Sequence, residues 1–316
     1  MMAPVALASL AFAVAAVCAA IMGYAIQRGA TCMVAAVGEV LNARRGDRLL
    51  ALLEAAVWVT GGVLAWRALG GSIALPIGYP ATWMTVAGGV LLGLGAFVAR
   101  ACVFGAVARL GSGEWAYVLT PLGFFLGCAT IWPFLGAFPA MHVASPLFAA
   151  DWLLLPFAAF AAWRGFEALR AGRGGMLAAH VWHPHRATAV IGIVFAISLI
   201  AVGPWAYTYA LLALAQGRGD GVVVKVALLV ALLGGAMLGG WTAGRLRWQA
   251  PTVAVMARCL GGGMLMGWGS LLIPGGNDEL LLVGIPLLQP YAWVAVASMV
   301  AAIAVALLAE RRLLAR

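Results

Sequence analysis

Apolar residues in this chain come in long unbroken runs, and polar residues collect at the joints between them. Nine runs are long enough to cross a bilayer as helices, at about 3–26, 49–69, 83–99, 118–136, 147–163, 188–214, 221–243, 252–273 and 288–309. The joints alternate in charge. Cations gather at Arg44, Arg45 and Arg48; at Arg100 and Arg109; from Arg164 through Arg170 and Arg173 to Arg186; at Arg245, Arg247 and Arg258; and at Arg311, Arg312 and Arg316. The joints at 70–82, 137–146 and 280–288 have none, and 215–225 is mixed, with Asp220. Basic loops stay in the cytoplasm, so the N-terminus is expected outside and the C-terminus inside. The pattern predicts an all-α, polytopic membrane helical bundle, one integral membrane domain over residues 1–316.

Inside the runs a phrase recurs three times. It reads Met22-Gly23-Tyr24-Ala25 through Thr31-Cys32, then Leu92-Gly93-Leu94-Gly95 through Ala101-Cys102, then Met266-Gly267-Trp268-Gly269 through Gly275-Gly276. Each copy closes nine residues after its first glycine: 23 to 32, 93 to 102 and 267 to 276. Small residues at this spacing let helix backbones approach closely, which makes Gly23, Gly93, Gly95, Gly267 and Gly269 candidate packing positions. The second and third copies lie 174 residues apart, 102 to 276, on spans of opposite direction. That is the sequence mark of an inverted internal repeat. Pseudo-repeat halves of about 1–146 and 187–316 are expected, joined by a span at 147–163 and a cytoplasmic loop at 164–186.

The segment after each phrase is too short to cross. The apolar stretches 33–41 and 103–110 come after Cys32 and Cys102, and Asn277, Asp278 and Glu279 come after Gly276. These predict short re-entrant helices, which membranes tolerate only where protein or a water cavity covers the backbone. A half-helix that starts at such a break aims its amide N–H groups and positive dipole end into the protein. Facing ends from two inverted copies would build an anion site near the bilayer midplane.

Composition agrees with a membrane setting. The chain of 316 residues is 65% hydrophobic and 9% charged, with mean hydropathy +1.04, against about 25% charged in soluble domains. The net charge of +9 sits in short loops, so it argues for topology rather than nucleic acid. Residues 1–20 resemble a signal-peptide core but have no basic stretch before it, so an uncleaved first span is expected.

Cysteine is a particular choice beside an anion path. It is apolar enough for a dry constriction and a weak S–H donor. Three readings of Cys32 and Cys102 stand: S–H···S contacts to a sulfur-tipped anion, a thiol activated for chemistry by the positive helix end, and packing. Cys18, Cys128 and Cys259 lack the repeated setting and read as packing residues. Gln27 and Arg28 flank the first break. Arg28 reads equally as an anion ligand or a positive-inside anchor, and Arg100 carries the same ambiguity. Asn277 belongs with the candidate path, whereas Asp278 and Glu279 read as residues of the outer rim. Glu54 is expected to pair with Arg48 or to snorkel, and Glu114-Trp115 to anchor a span entrance.

Enzyme-like signals are weak. Gly269-Ser270 looks like a serine elbow, but no His falls inside a span to act as its base. His180, His183 and His185 have metal-like spacing, but Pro184 interrupts them and no acidic neighbour stands nearby in sequence. No nucleotide-phosphate loop occurs. Neither catalysis nor a metal or other cofactor is expected.

The motifs together resemble a known family. Gln27-Arg28-Gly29-Ala30-Thr31-Cys32 resembles the first cysteine motif of YeeE/YedE proteins, the thiosulfate-uptake family. Ala101-Cys102-Val103-Phe104-Gly105, with Arg109-Leu110-Gly111-Ser112-Gly113-Glu114-Trp115, resembles the second. The glycine-rich run from Leu260 to Gly269 with Gly275-Gly276-Asn277-Asp278 resembles the third. The resemblance implies a bundle with short helices dipping in from both faces and uptake of thiosulfate across the bacterial inner membrane. It also implies a small cytosolic sulfur-carrier protein as partner and three pore cysteines that hand the anion inward. The third of these falls at Gly276. Cys259 is no simple substitute, being about 25 Å earlier along a helix. Either Cys32 and Cys102 suffice, or Asn277 supplies the contact, or the substrate differs. The expected function is a permease for thiosulfate or a related small sulfur-containing anion, with a membrane-embedded sulfur-relay or scaffold subunit as the alternative. A thiol restored at 276 is expected to favour thiosulfate, unless the break holds Gly276 at positive φ.

Overall fold

The computed structural model describes residues 9–73, 76, 78–135, 143–170, 181–217, 221–273 and 275–315. Among these the chain is helical, with only isolated bridges at Gly78–Val143 and Glu114–Gln249. The helices are α1 (Leu10–Gly29), α2 (Met33–Ala43), α3 (Asp47–Ala68), α4 (Trp83–Ala99), α5 (Val103–Gly111), α6 (Leu119–Leu135), α7 (Leu154–Arg170), α8 (Pro184–Val202), α9 (Tyr207–Ala215), α10 (Val222–Thr242), α11 (Val253–Leu272), α12 and α13 (Pro290–Leu314). Helix α12 opens as Asn277–Glu279 and continues as a π-helical turn, Leu280–Gly284. The ends obey local chemistry. Ser9 and Thr252 accept the Phe12 and Val255 amides as N-caps, and Pro184 and Pro290 stand in the first turns of α8 and α13.

Seven stretches among the described residues are long and apolar enough to cross a membrane: Leu10–Ala43, Asp47–Ala68, Trp83–Gly111, Trp115–Phe134, Pro184–Val202, Val222–Thr242 and Pro290–Leu314. Their outer faces carry Leu10, Trp83, Phe134 and Leu314, all strongly exposed, as suits contact with lipid. This is a multi-pass membrane protein. Helix α11 is 20 residues long, about 30 Å, but its five glycines and Arg258 dilute its hydropathy. The run expected at 147–163 begins as 3₁₀ turns and becomes helix only at Leu154. The run expected at 188–214 is not one helix. It breaks between Val202 and Tyr207, where Gly203 takes φ 80° and Pro204 withholds an amide.

The long helices form two groups. Helix α1 packs on α8 and α10, and α3 on α8; α4 packs on α11 and α13, and α6 on α11. The short helices bridge the groups: α2 and α12 each lie against α3 and α13, and α5 and α9 each against α6 and α10. The π-helical turn makes the α12 contact to α3 and α13. Glycine permits the closest crossings. A Cβ on Gly95 would stand 2.5 Å from the Gly262 carbonyl oxygen, and one on Gly269 2.5 Å from that of Gly88, both across the α4–α11 crossing. Gly93 faces Met299 of α13, Gly267 faces Phe124 of α6, and Gly23 faces Leu232 of α10. Direct backbone contact of this kind is how helices associate where burying apolar surface from lipid gains nothing.

Candidate functional site

Four helix breaks share one construction. A long helix ends, one residue turns left-handed or takes a positive φ, and an extended residue starts a short helix. The turning residues are Ala30 (φ 46°), Arg100 (φ 58°), Gly203 (φ 80°) and Gly275 (φ 153°). The extended N-cap residues are Cys32, Cys102, Ala206 and Gly276. None of the four is capped by its own side chain, so the first amides of the short helices look elsewhere for acceptors.

They find them on one another. The Met33 N–H donates to Cys102 Sγ at 3.1 Å. The Val103 N–H donates to Asn277 Oδ1 at 3.3 Å. The Tyr207 hydroxyl donates to the Val103 carbonyl at 2.8 Å. The Thr208 N–H donates to Asp278 Oδ2 at 3.2 Å, and the Thr208 hydroxyl to Asp278 Oδ1. The starts of α2, α5, α9 and α12 are thereby tied together in the centre of the fold. The Cys32 and Cys102 side chains come together there, with Met33, the residue after Cys32, bonded to Cys102 Sγ. Cys102 and Asn277 are fully buried, while Cys32 is part-exposed. Space for Cys32 exists because residue 105 is glycine, where a Cβ would stand 2.6 Å from Cys32 Sγ.

Cys32 faces a cavity of about 460 Å³, also lined by Gln27, Arg48, Arg100, Arg109, Ser112, Glu114, Gly105 and Arg245. Four guanidinium groups make it a cationic vestibule. Three of them have acidic neighbours: Arg48 with Glu39 at 3.0 Å, Arg109 with Glu114 at 2.9 Å, and Arg100 with Glu310. Gln27 donates to Ser112 Oγ at 3.3 Å, and its Oε1 has no hydrogen-bond partner. Arg28 is buried and does not line the vestibule. It donates to Tyr24 and Thr242, both at 2.8 Å, and its carbonyl accepts from the Trp182 amide. Its geometry is that of a clamp between α1, α10 and the chain before α8.

Several expectations change. Asp278 and Glu279 are not at a rim. They are 2% and 9% exposed, because the break after α11 turns the chain back into the protein before α12 begins. Gly276 keeps an ordinary φ of −82°, and the unusual backbone is at Gly275. Nor does Gly276 leave an opening, since a Cβ there would lie 2.7 Å from both Cβ and Cγ2 of Thr208. Glu54 pairs with Arg164 at 2.7 Å and with His185 at 2.5 Å rather than with Arg48, which turns toward Glu39. An acid therefore does stand beside the histidines, brought there by the packing of α3 on α8. His183 and His185 stack at 5.5 Å, His180 lies outside the described residues, and no group of three metal-ligand side chains occurs among the described ones. Cys128 donates to the Gly267 carbonyl and meets Ser270, Cys259 lies in a small cluster with Ala101 and Tyr117, and Cys18 is core.

Tyr207, Thr208 and the break that precedes them went unread in the sequence. Two signals pointed to them: the Gly203-Pro204 dipeptide, and position, because Ala206 follows Cys32 by the same 174 residues that separate Gly276 from Cys102.

Half-helix ends aimed at a buried centre, with thiols there and a cationic vestibule beside it, define a class: membrane transport proteins for small anions. Comparison with known families agrees. The family model described as Sulphur transport matches residues 28–305, and the chain belongs to this family, also known as YeeE/YedE. Among curated proteins there is no significant match to the chain.

Proposed function

We propose that the protein is a permease that brings thiosulfate, or a related small sulfur-containing anion, across the bacterial inner membrane. The observation that carries this reading is the meeting of the Cys32 and Cys102 thiols where four half-helix starts converge, at the head of an arginine-lined cavity. The positive ends of the half-helices favour an anion there. Cys102 Sγ already accepts an amide proton, so its own S–H is left to donate. A terminal sulfur on the anion suits such a soft donor, with Asn277 contributing its amide. Gln27 and the vestibule arginines, Arg100 among them, would receive the anion on the far side.

The bilayer arrangement belongs to the same reading. The seven apolar stretches together with α7 and α11 make nine crossings, with the N-terminus outside and the C-terminus in the cytoplasm. Arg48, Arg100, Arg109 and Arg245 all come from basic joints, so the vestibule opens inward. The halves 1–146 and 187–316 form the inverted repeat, with 147–163 and 164–186 between them. Two pairs of breaks related by the same 174-residue shift support it, 32 with 206 and 102 with 276. So does the packing: α4 lies on α13 as α11 lies on α6, and α1 on α10 as α8 on α3. Lipid covers the apolar outside, and a small cytosolic sulfur carrier would take the product at the vestibule.

Exchange of labelled thiosulfate by the purified protein in liposomes tests the reading. Wild-type protein is expected to exchange, Cys102→Ala to lose exchange and Cys32→Ala to be impaired, with Cys18→Ala and Cys128→Ala active. Full exchange by the Cys32/Cys102 double alanine variant would reduce both thiols to packing. No exchange by folded wild-type protein would leave a relay or scaffold subunit as the better account.

A further inference from the structure

A dianion that enters against an inside-negative potential moves uphill, and passive distribution would hold it inside at roughly a thousandth of its outside concentration. Accumulation of the free anion therefore needs cations to enter with it, each proton cancelling one of its two charges, and the fold holds two adjacent acids beside the proposed path. Asn277, whose Oδ1 holds the Val103 amide next to Cys102, is followed directly by Asp278 and Glu279. The two acids are differently served. Both Asp278 oxygens accept from Thr208, an arrangement suited to the ionised, acceptor-only form. Glu279 is more than nine-tenths buried, and its Oε2 has no hydrogen-bond partner. That oxygen lies over Gly275, where a Cβ would come within 2.7 Å of it. Burial, the shortage of donors and the neighbouring Asp278 carboxyl all favour a proton on Glu279, against the opposing pull of Lys225. Among the described residues, the other titratable groups close enough to act electrostatically on the pair are Lys225 of α10, Tyr291 of α13 and Tyr207 of α9.

We propose that Glu279, beside Asp278, is a proton-binding site that couples entry of the anion to entry of protons. This rests on the permease reading. A proton from the outer side binds the Glu279 carboxylate and removes the negative charge next to Asn277. The anion can then occupy the centre. Release of the anion into the vestibule is followed by release of the proton to the cytoplasm. When ionised, Glu279 repels the anion, so an empty transporter does not leak it outward.

The test uses purified full-length protein in liposomes with labelled thiosulfate as probe. With acid outside, wild-type protein is expected to concentrate thiosulfate, and unbuffered external medium should turn alkaline as uptake begins. Exchange at equal pH should fall as pH rises through the Glu279 titration, by about tenfold per pH unit beyond its midpoint. In Glu279→Gln, exchange should be flat with pH and gradient-driven accumulation lost. Accumulation by Glu279→Gln equal to wild type overturns the proposal. So does wild-type uptake that ignores the pH gradient, follows a sodium gradient, or leaves external pH unchanged; these arms need no variant to fold. Absence of wild-type exchange at any pH would instead remove the permease reading and the coupling with it.

Discussion

Adding a single carbon at position 276 should damage the centre of the protein. The Cβ of Gly276→Ala would stand 2.7 Å from Thr208 Cβ and Cγ2, about 1 Å inside ordinary carbon–carbon contact. Overpacking of this size costs about 1–3 kcal/mol. Thr208 cannot simply turn away, because its amide and hydroxyl both hold the buried Asp278 carboxylate. Displacing the hydroxyl strands a carboxylate oxygen and adds about 1–3 kcal/mol. A total loss of about 2–6 kcal/mol is expected. The collision belongs to the Cβ itself, so Gly276→Cys should suffer nearly as much as Gly276→Ala. The measurement is thermal unfolding of detergent-purified protein for both variants, with Thr208→Ala and the Gly276→Ala/Thr208→Ala double variant. Removing Cγ2 and the hydroxyl relieves part of the clash. The double variant should therefore lose less stability than the two single losses combined, with a coupling of about 1 kcal/mol or more. Strict additivity, or wild-type melting of both Gly276 variants, would refute the contact. A gain in thiosulfate preference in well-folded Gly276→Cys would do so too, since it requires a thiol to fit where Thr208 stands.

Gly95→Leu should prevent recovery of folded protein rather than alter transport selectively, because the α4 and α11 backbones already touch there; normal yield and melting would contradict this. For topology, cysteines introduced at the exposed Arg45 and Asp151 should label from opposite faces of the membrane. Equal labelling of both from outside would rule out the nine-crossing arrangement. Arg173, in the same basic joint as Arg170, offers a further labelling position and is expected to label with Arg45; it lies outside the described residues.

Much of the membrane architecture is local information. Helix in lipid follows from the need of every backbone group for an internal partner, so runs of apolar residues determine where helices cross. Glycines 93, 95, 267 and 269 announce close crossings because nothing else at those positions would let two backbones touch. The nine-residue spacing from Gly23 to Cys32 and from Gly93 to Cys102 marks the breaks because a helix followed by a left-handed residue and an extended one is itself a short-range pattern. The family was legible for the same reason, since its motifs are the breaks.

Only the tertiary structure decided which groups meet. Cys102 and Met33 are 69 residues apart, and Asn277 and Val103 are 174 apart; their contacts depend on how four half-helices turn back into the bundle. The same turning moves Asp278 and Glu279 from an expected rim to the interior, and fills the space beside Gly276 with Thr208. Arg28 and Arg100 were equivalent in sequence, each next to a break. Packing sends Arg28 to Tyr24 and Thr242 and leaves Arg100 on the vestibule. Periodicity records whether a residue sits on a crossing helix, but the direction a chain takes after a break is set by long-range packing. At this centre, that direction decides which charges are buried and which side chains the anion would meet.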